Sequence, residues 1–523
     1  MNIKLLFLSV FLILFYILVV SVNLMRLPLY LDEGLYIFWA SLIKEGSSYV
    51  YVSMQDGKTP LFMWLIHLIN PFFGDYLYTG RFISVIASAI SLICSVVIGW
   101  KIGGRLTALF VYILFLITPF NLLVSRMAFV DSLLIALGSL SILSLFFIRE
   151  FAEKKKVFIA IIFALVAGVL LGMAFMTKTT AKIFLVAESV VLISWILQSL
   201  KSKKLKEALV IFLSLPIIVG IYFEILGYLK FGALRHWEMI ANKEGMLVYS
   251  LQEIFHNLFT GETIPVYVKN LPFYFEYLVI YFGPILIFFV LGLLHFIKDR
   301  KQIWLVLITI IFSAGIFLSA KIPASRYLSI IVPPFIIISA LGLKFIWQKN
   351  NRAFYTISVV LLLITSSLSF RIIADPLQAF YSSDDRNNFV NSDLNALGLN
   401  EIIEYLGPQS KDSIIGVEGT WGVSEGMLTR LQEHGIETQL LNKIIPSSPV
   451  DDKVCNGGHK NEEGVCWKSN FGDLTGDPRS QKFVYLTASE ERINFLKTIA
   501  DIEVIREFRR SEDRLSSYFV KIN

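Results

Sequence analysis

Leu31-Asp-Glu-Gly-Leu-Tyr36 and Gln55-Asp-Gly-Lys-Thr-Pro60 are the two ends of one polar stretch bracketed by strongly apolar sequence, Leu5 to Val22 before it and a run starting near residue 80 after it. Two adjacent carboxylates, Asp32 and Glu33, a third acid, Asp56, and one cation, Lys58, therefore lie close to hydrocarbon. A carboxylate held there loses much of its hydration, so charges at a membrane edge mark function more often than charges elsewhere. A solvated loop between two spans is the bland alternative.

Outward from that stretch the composition is that of an integral membrane protein. The 523 residues are 55% hydrophobic and only 17% charged, where soluble domains carry about 25% charge, and the mean hydropathy is +0.66. The 43 Phe and 21 Tyr suit lipid contact and interfacial belts. A net charge of +6 points to no nucleic acid, because the Lys and Arg residues cluster in short loops between apolar runs, which is a topology signal. The three cysteines have no zinc-type spacing. Leu5 to Val22 lacks a small-residue cleavage site and is expected to be a retained first helix.

At about twenty apolar residues per span, about eleven spans are expected: 5–23, 80–100, 105–122, 131–149, 157–175, 182–200, 207–227, 278–297, 303–320, 328–347 and 353–373. With the N-terminus cytoplasmic, alternate loops hold Lys101 and Arg105, Arg149 to Lys156, Lys201 to Lys206, Lys298 to Lys301 and Lys349 to Arg352, all short and basic. The opposite face then holds Leu24 to Gly80, Tyr228 to Tyr277 and everything after about Ala374. Within the first of these, Leu35 to Ile43 and Leu61 to Ile69 are too short to span and are expected to lie along the interface, with Trp39 and Trp64 at that depth.

From Asp384 onward the composition is that of a soluble domain. Strands are expected at 413–417, 437–441, 482–486, 503–508 and 517–521, with helices at 423–434 and 489–499, a pattern that predicts a small α/β domain with a partly parallel sheet. The insertion before residue 482 carries Cys455 and Cys466, for which a disulfide on the exoplasmic side and two free thiols are both open. The expected architecture is a polytopic α-helical membrane protein in two domains, 1–375 with its first outer loop at 24–80, and an exoplasmic α/β domain at 376–523.

Under this topology Asp32, Glu33, Asp56, Lys58, Arg81, Arg126, Asp131, Lys178, Lys182, Lys321 and Arg326 all fall at outer helix ends. Lys58, Lys178, Lys321 and Arg326 make an electropositive patch suited to a phosphate ester whose tail stays in lipid; each alone is as readily a snorkelling side chain. Asp131 reads as a helix N-terminal acid or a partner of Arg126. Transfer of a sugar from a phosphate carrier to a hydroxyl needs a base for the hydroxyl proton and a cation for the departing phosphate. Asp32 fits the first role and Lys58 with Arg326 the second, while Glu33 points elsewhere on a helix.

Asp32-Glu33-Gly-x-Tyr36, Asp56-Gly-Lys58-Thr-Pro60-Leu, the stretch Arg126 to Asp131, Thr177-Lys178 after Gly172-Met-Ala-Phe, and Ser325-Arg326-Tyr327-Leu-Ser-Ile-Ile-Val-Pro333-Pro334 occur in this order. Together, over roughly residues 1–375, they resemble the GT-C membrane glycosyltransferases, in particular the protein O-mannosyltransferase and lipid A aminoarabinose transferase group. The resemblance implies an inverting transfer from a polyprenyl-phosphate sugar to a protein, lipid or polysaccharide acceptor at the outer face. It places the catalytic base at Asp32, with Glu33 beside it, and carrier-phosphate contacts at Lys58 and Arg326. Lys178 and Lys321 are expected to join them, with Tyr36, Asp56, Arg126, Asp131 and Tyr327 in support. The usual Lys-Pro-Pro is here Lys58-Thr-Pro60. Where the aminoarabinose transferase has a metal-site glutamate before its lysine, this chain has Gly57, so no obligatory metal is expected and use of a divalent ion is left open; His236 reads as interfacial. A transporter or flippase for lipid-linked sugars is the rival reading, against which the chain has neither related halves nor paired broken helices.

Overall fold

The computed structural model describes residues 3–45, 49–233, 237–240, 249, 251–261, 264–298, 303–348, 352–391, 394–407, 412–418, 422–441, 459–460, 466–467, 474, 477–499, 501–509 and 515–523. The chain divides into two compact units. The first comprises Met1–Leu24, Ser48–Leu65 and Arg81–Ser382; the second comprises Met25–Ser47, Ile66–Gly80 and Ser383–Asn523. The outer loop 24–80, which the sequence assigns wholly to the membrane domain, is thus divided between the two units.

The first unit is helical. Among the described residues, seven helices are long and apolar enough to cross a membrane, or eight when one bent pair counts as a span. The difference from about eleven has local causes. The expected spans 80–100 and 105–122 lie largely in one helix, Tyr76–Ile117, whose helical geometry breaks at Gly104 (φ 75°). The expected span 278–297 bends by 100° between Phe282 and Ile285, where Gly283 and Pro284 intervene and proline removes a helix donor. The first helix, Ile3–Ser21, and Ile303–Ser319 are shorter apolar helices. Close helix approach relies on small residues: a Cβ at Gly168 would lie 2.9 Å from Ile221 Cβ, so the helices Val157–Thr177 and Leu205–Gly232 meet nearly backbone to backbone.

The second unit is built on a sheet. With β1 Leu29–Tyr30, β2 Asn395–Ala396, β3 Ser413–Glu418, β4 Glu437–Leu441, β5 Gln481–Ser489, β6 Ile502–Arg509 and β7 Leu515–Ile522, the five-stranded sheet runs in the order β4-β3-β5-β7-β6. β3 is parallel to both β4 and β5, and β7 is antiparallel to β5 and β6. The partly parallel sheet expected from the alternating pattern is present. Ile414, Val484, Leu486, Val520 and Ile522 form a core with Ile493 and Leu496 of the helix Glu490–Ile499. Phe483, Phe519 and Tyr405 of the helix Leu399–Leu406 form a second aromatic group. Cys466 belongs to a two-residue ladder with Lys460; Cys455, and with it the Cys455–Cys466 pairing, lies outside the described residues, as does His236.

Two first-loop segments, Met25–Ser47 and Ile66–Gly80, are part of this second unit. β1 pairs antiparallel with β2, Leu31 N donates to Leu394 O (2.9 Å) and Asn400 Nδ2 donates to Met25 O (3.0 Å). The helix Leu31–Leu42 has eight buried residues, among them Leu35, Tyr36, Ile37 and Trp39, and is a packed element where the sequence suggests one lying on an interface. Asp75 pairs with Arg430, and Tyr76 N donates to Glu433 Oε1 (2.7 Å).

Burial pushes the Glu433 carboxyl up to about 8; the Asp75 charge adds to the rise, while the Tyr76 hydrogen bond, Arg430 and Lys44 oppose it. A folded pKa above the unfolded value means that the folded unit keeps a proton the unfolded chain releases, so the contribution of this carboxyl to stability is greatest below about 4.5 and falls as pH rises toward 8. The slope is at most about 1.4 kcal/mol per pH unit. Thermal unfolding of the full-length protein between pH 5 and 8.5 is expected to show this decline, and Glu433→Gln is expected to flatten it. An unaltered slope in that variant would show that another group is responsible.

Candidate functional site

In the first unit a set of charged and aromatic side chains gathers around the 3-10 segment Ser325–Ile331. Lys178 follows directly on the helix Val157–Thr177, in extended backbone that turns its side chain off the helix axis. Its Nζ lies 2.6 Å from Asp131 Oδ1 and 5.1 Å from the centre of the Tyr327 ring. The Arg326 guanidinium stands 5.9 Å from that same ring and 5.7 Å from the ring of Phe129. Two cations thus stand against one aromatic ring, whose electron-rich surface attracts a cation. Asp131 is 2% exposed and occupies the first turn of the helix Val130–Glu153, where the helix dipole favours an anion. Its Oδ2 is buried with no hydrogen-bond partner among the described residues.

Asp131 therefore pairs with Lys178, and Arg126 is engaged elsewhere. Fully buried, Arg126 donates to Val20 O (2.8 Å), Val22 O (2.6 Å) and Asn23 O (3.1 Å). Arg81, also fully buried, donates to Leu24 O (2.9 Å). Helix C-termini expose carbonyls with no intrahelical partner, and these two guanidinium groups satisfy them at the end of the first helix. These bonds engage Arg126 through Nη1 and Nη2, while its buried Nε has no hydrogen-bond partner among the described residues.

Lys321, Lys182 and Lys58 also belong to the first unit. Lys321 lies 3.8 Å from Glu253 and over the ring of Tyr249. Lys182 is exposed at the start of its helix. Asp56 and Lys58, both half-buried, flank Gly57, whose left-handed backbone (φ 67°) closes the 3-10 turn Val52–Asp56. Lys58 N donates to Ser53 O (3.0 Å), so the lysine leaves the turn in a set direction.

Asp32, Glu33 and Tyr36 belong to the second unit, on the helix Leu31–Leu42. Glu33, wholly buried, reaches back to accept a hydrogen bond from Tyr30 N (3.2 Å), closing the first turn of its own helix. Asp32 is 6% exposed and points from a different side of that helix. Tyr36 is buried with its ring beside Trp39. Among the described residues no group of three His, Cys, Asp or Glu side chains is arranged to hold a metal ion.

Phe129, the Asp75–Arg430 pair and Glu433 are absent from the sequence reading. Phe129 lies inside the quoted Arg126 to Asp131 motif, but an apolar residue there carries no sign that its ring meets a cation.

Residues 57–222 match the model of the dolichyl-phosphate-mannose-protein mannosyltransferase family. No curated protein matches the sequence. ArnT from Cupriavidus metallidurans in the apo state superposes with a TM-score of 0.56 at 13% identity, over 98% of this chain and 97% of that one. The same protein bound to undecaprenyl phosphate gives 0.56 at 12%, over 100% and 98%. The apo oligosaccharyltransferase of Archaeoglobus fulgidus gives 0.51 at 12%, over 91% of this chain and 69% of that one. Over nearly its whole length the chain has the fold of ArnT, and with the match at 57–222 it resembles the GT-C glycosyltransferases of the O-mannosyltransferase and aminoarabinose transferase group.

Proposed function

We propose that this multi-pass membrane protein is an inverting glycosyltransferase that moves a sugar from a polyprenyl phosphate to an acceptor hydroxyl on the outer face of the membrane. The observation that carries the reading is the pairing of Arg326 and Lys178 on the Tyr327 ring, beside the buried carboxylate of Asp131, within the helical unit. Cations held this way at a membrane edge suit a lipid phosphate, since arginine offers two parallel donors to phosphate oxygens and lysine a mobile point charge. The match at 57–222 and the undecaprenyl phosphate bound by the structurally similar ArnT support a lipid-linked donor.

The chemistry assigns one task to each group. The acceptor oxygen attacks the anomeric carbon from the face opposite the phosphate, and the bond from that carbon to the phosphate oxygen breaks. Asp32 takes the hydroxyl proton as the new bond forms. The charge that gathers on the departing polyprenyl phosphate is met by Arg326, Lys178 and Lys58, with Lys321 close in sequence to the same segment. Tyr327 and Asp131 hold the two principal cations, Glu33 holds the helix of the acid, and Arg126 holds the end of the first helix. Tyr36 and Asp56 support the acid-bearing helix and the lysine-bearing turn. Basic loops between the spans support a cytoplasmic N-terminus and an exoplasmic C-terminal domain at 376–523.

Full-length protein in nanodiscs, given undecaprenyl-phosphate mannose, glucose and aminoarabinose labelled in the sugar, with native membrane extract as the acceptor source, is expected to release undecaprenyl phosphate from at least one donor. No release from any donor would overturn the reading.

A further inference from the structure

The helix that carries Asp32 meets the helix Val423–Glu433 of the sheet domain through bare backbone. A Cβ added at Gly34 would run into the carbonyl oxygen of Gly422 and sit 3.3 Å from Gly426 Cα. One added at Gly426 would run into Gly34 Cα and reach within 2.8 Å of Leu29 Cδ2. Gly422, at φ 96° in a region that favours glycine, would place a Cβ 2.8 Å from Leu31 O. Glycine inside a helix costs about 1 kcal/mol relative to alanine. Gly34 and Gly426 nevertheless both stand in helices, at their mutual contact.

The contact has a mate on the other side of Asp32. Two residues before the acid, Tyr30 pairs with Asn395 in the β1–β2 ladder, and Leu31 N donates to Leu394 O. Two residues after it comes Gly34. Gly422 N in turn donates to Glu425 Oε2 (2.5 Å), which fixes the start of the partner helix, and the Asp75–Arg430 pair ties that helix to the segment before Tyr76. Asp32 thus sits between a strand ladder and a glycine contact, both supplied by residues nearly four hundred positions later in the chain.

We infer that Gly34, Gly422 and Gly426 are positioning residues for the acid, so that the C-terminal domain sets where Asp32 stands during transfer. This rests on the assignment of Asp32 as the base. An alanine at either helical glycine has to push the two backbones apart by about 1 Å, and a displacement of that size in a catalytic group costs on the order of 10²-fold in rate.

The test uses full-length Gly34→Ala and Gly426→Ala, with Gly407→Ala, where an added Cβ meets nothing within 4 Å, as the comparison. Two quantities are read: turnover of whichever undecaprenyl-phosphate sugar the unaltered protein uses, and hydrogen–deuterium exchange over residues 31–42. Both helical variants are expected to lower kcat about 10²-fold with KM for the donor within about twofold, and to speed exchange over 31–42; Gly407→Ala is expected to do neither. Unchanged kcat in both variants would overturn the inference, and so would a loss confined to KM. Should the unaltered protein transfer nothing, the Asp32 reading fails by itself, and the exchange rates still judge the contact: faster exchange upholds it, unchanged exchange overturns it. If Gly426→Ala unfolds the sheet domain, seen as fast exchange over 481–489 and 515–522, Arg430→Gln decides. It removes one tie one turn along the same helix, and is expected to lower kcat in the same direction by less; an unchanged kcat overturns the inference.

Discussion

Asp32→Asn is expected to fold and insert normally and to lose transfer by about 10³-fold, within the range by which a positioned base accelerates proton transfer. Asparagine keeps the size and most of the hydrogen bonding of aspartate but is not basic. The first helical turn is spared because Glu33 supplies the hydrogen bond to Tyr30 N that closes it. Glu33→Gln is the informative companion, since its amide oxygen can still accept that hydrogen bond. It is expected to cost less than tenfold, the residue of a cap retained. Turnover measured on purified full-length protein checks both, and near-normal rates in Asp32→Asn, or a larger loss in Glu33→Gln than in Asp32→Asn, would defeat the assignment of the base.

Arg326→Ala is expected to lower kcat/KM for the lipid donor by about 10²-fold, the cost of removing one preorganised donor to a developing anion. Arg326→Lys is expected to recover only part of it, because an ammonium cannot reproduce the two parallel N–H groups. Lys58→Ala is expected to act in the same direction on donor use, and Lys178→Ala to do so while also leaving Asp131, already short of one partner, as an isolated buried charge. The Lys178 variant should therefore lose thermal stability as well, and Lys178→Ala with Asp131→Asn should recover that stability without recovering transfer. Donor dependence unchanged in both Arg326→Ala and Lys58→Ala would remove the phosphate assignment.

The two buried arginines show how burial and function part company. Arg81 and Arg126 are the most deeply buried cations of the candidate set, and both are committed to carbonyls at the end of the first helix. Arg326 is only half-buried and rests against rings. A charge at a membrane edge is expensive, but the expense is met as readily by backbone carbonyls at a helix end as by a ligand.

Hydropathy and loop charge were enough, by themselves, to establish a helical membrane protein, because span length and positive charge at loops are local properties that add along the chain. The C-terminal strands and helices were legible for a related reason: each alternating run of five to nine residues carries its own period, and Val423–Glu433, β3, β4 and β7 lie within a few residues of where the pattern put them. The order of motifs along the chain likewise singles out Asp32, Lys58, Lys178 and Arg326. Tertiary structure alone decided which partners they meet. That Asp131 belongs to Lys178, that Arg126 turns to Val20, Val22 and Asn23, and that residues 25–47 and 66–80 join the sheet domain all depend on contacts between distant parts of the chain; Asp75 and Arg430 are separated by 355 positions. A buried charge or a bare glycine has no preferred partner in sequence. Its partner is whichever group the packing of the whole fold brings within a few ångströms, and that is settled only when the apolar surfaces have closed.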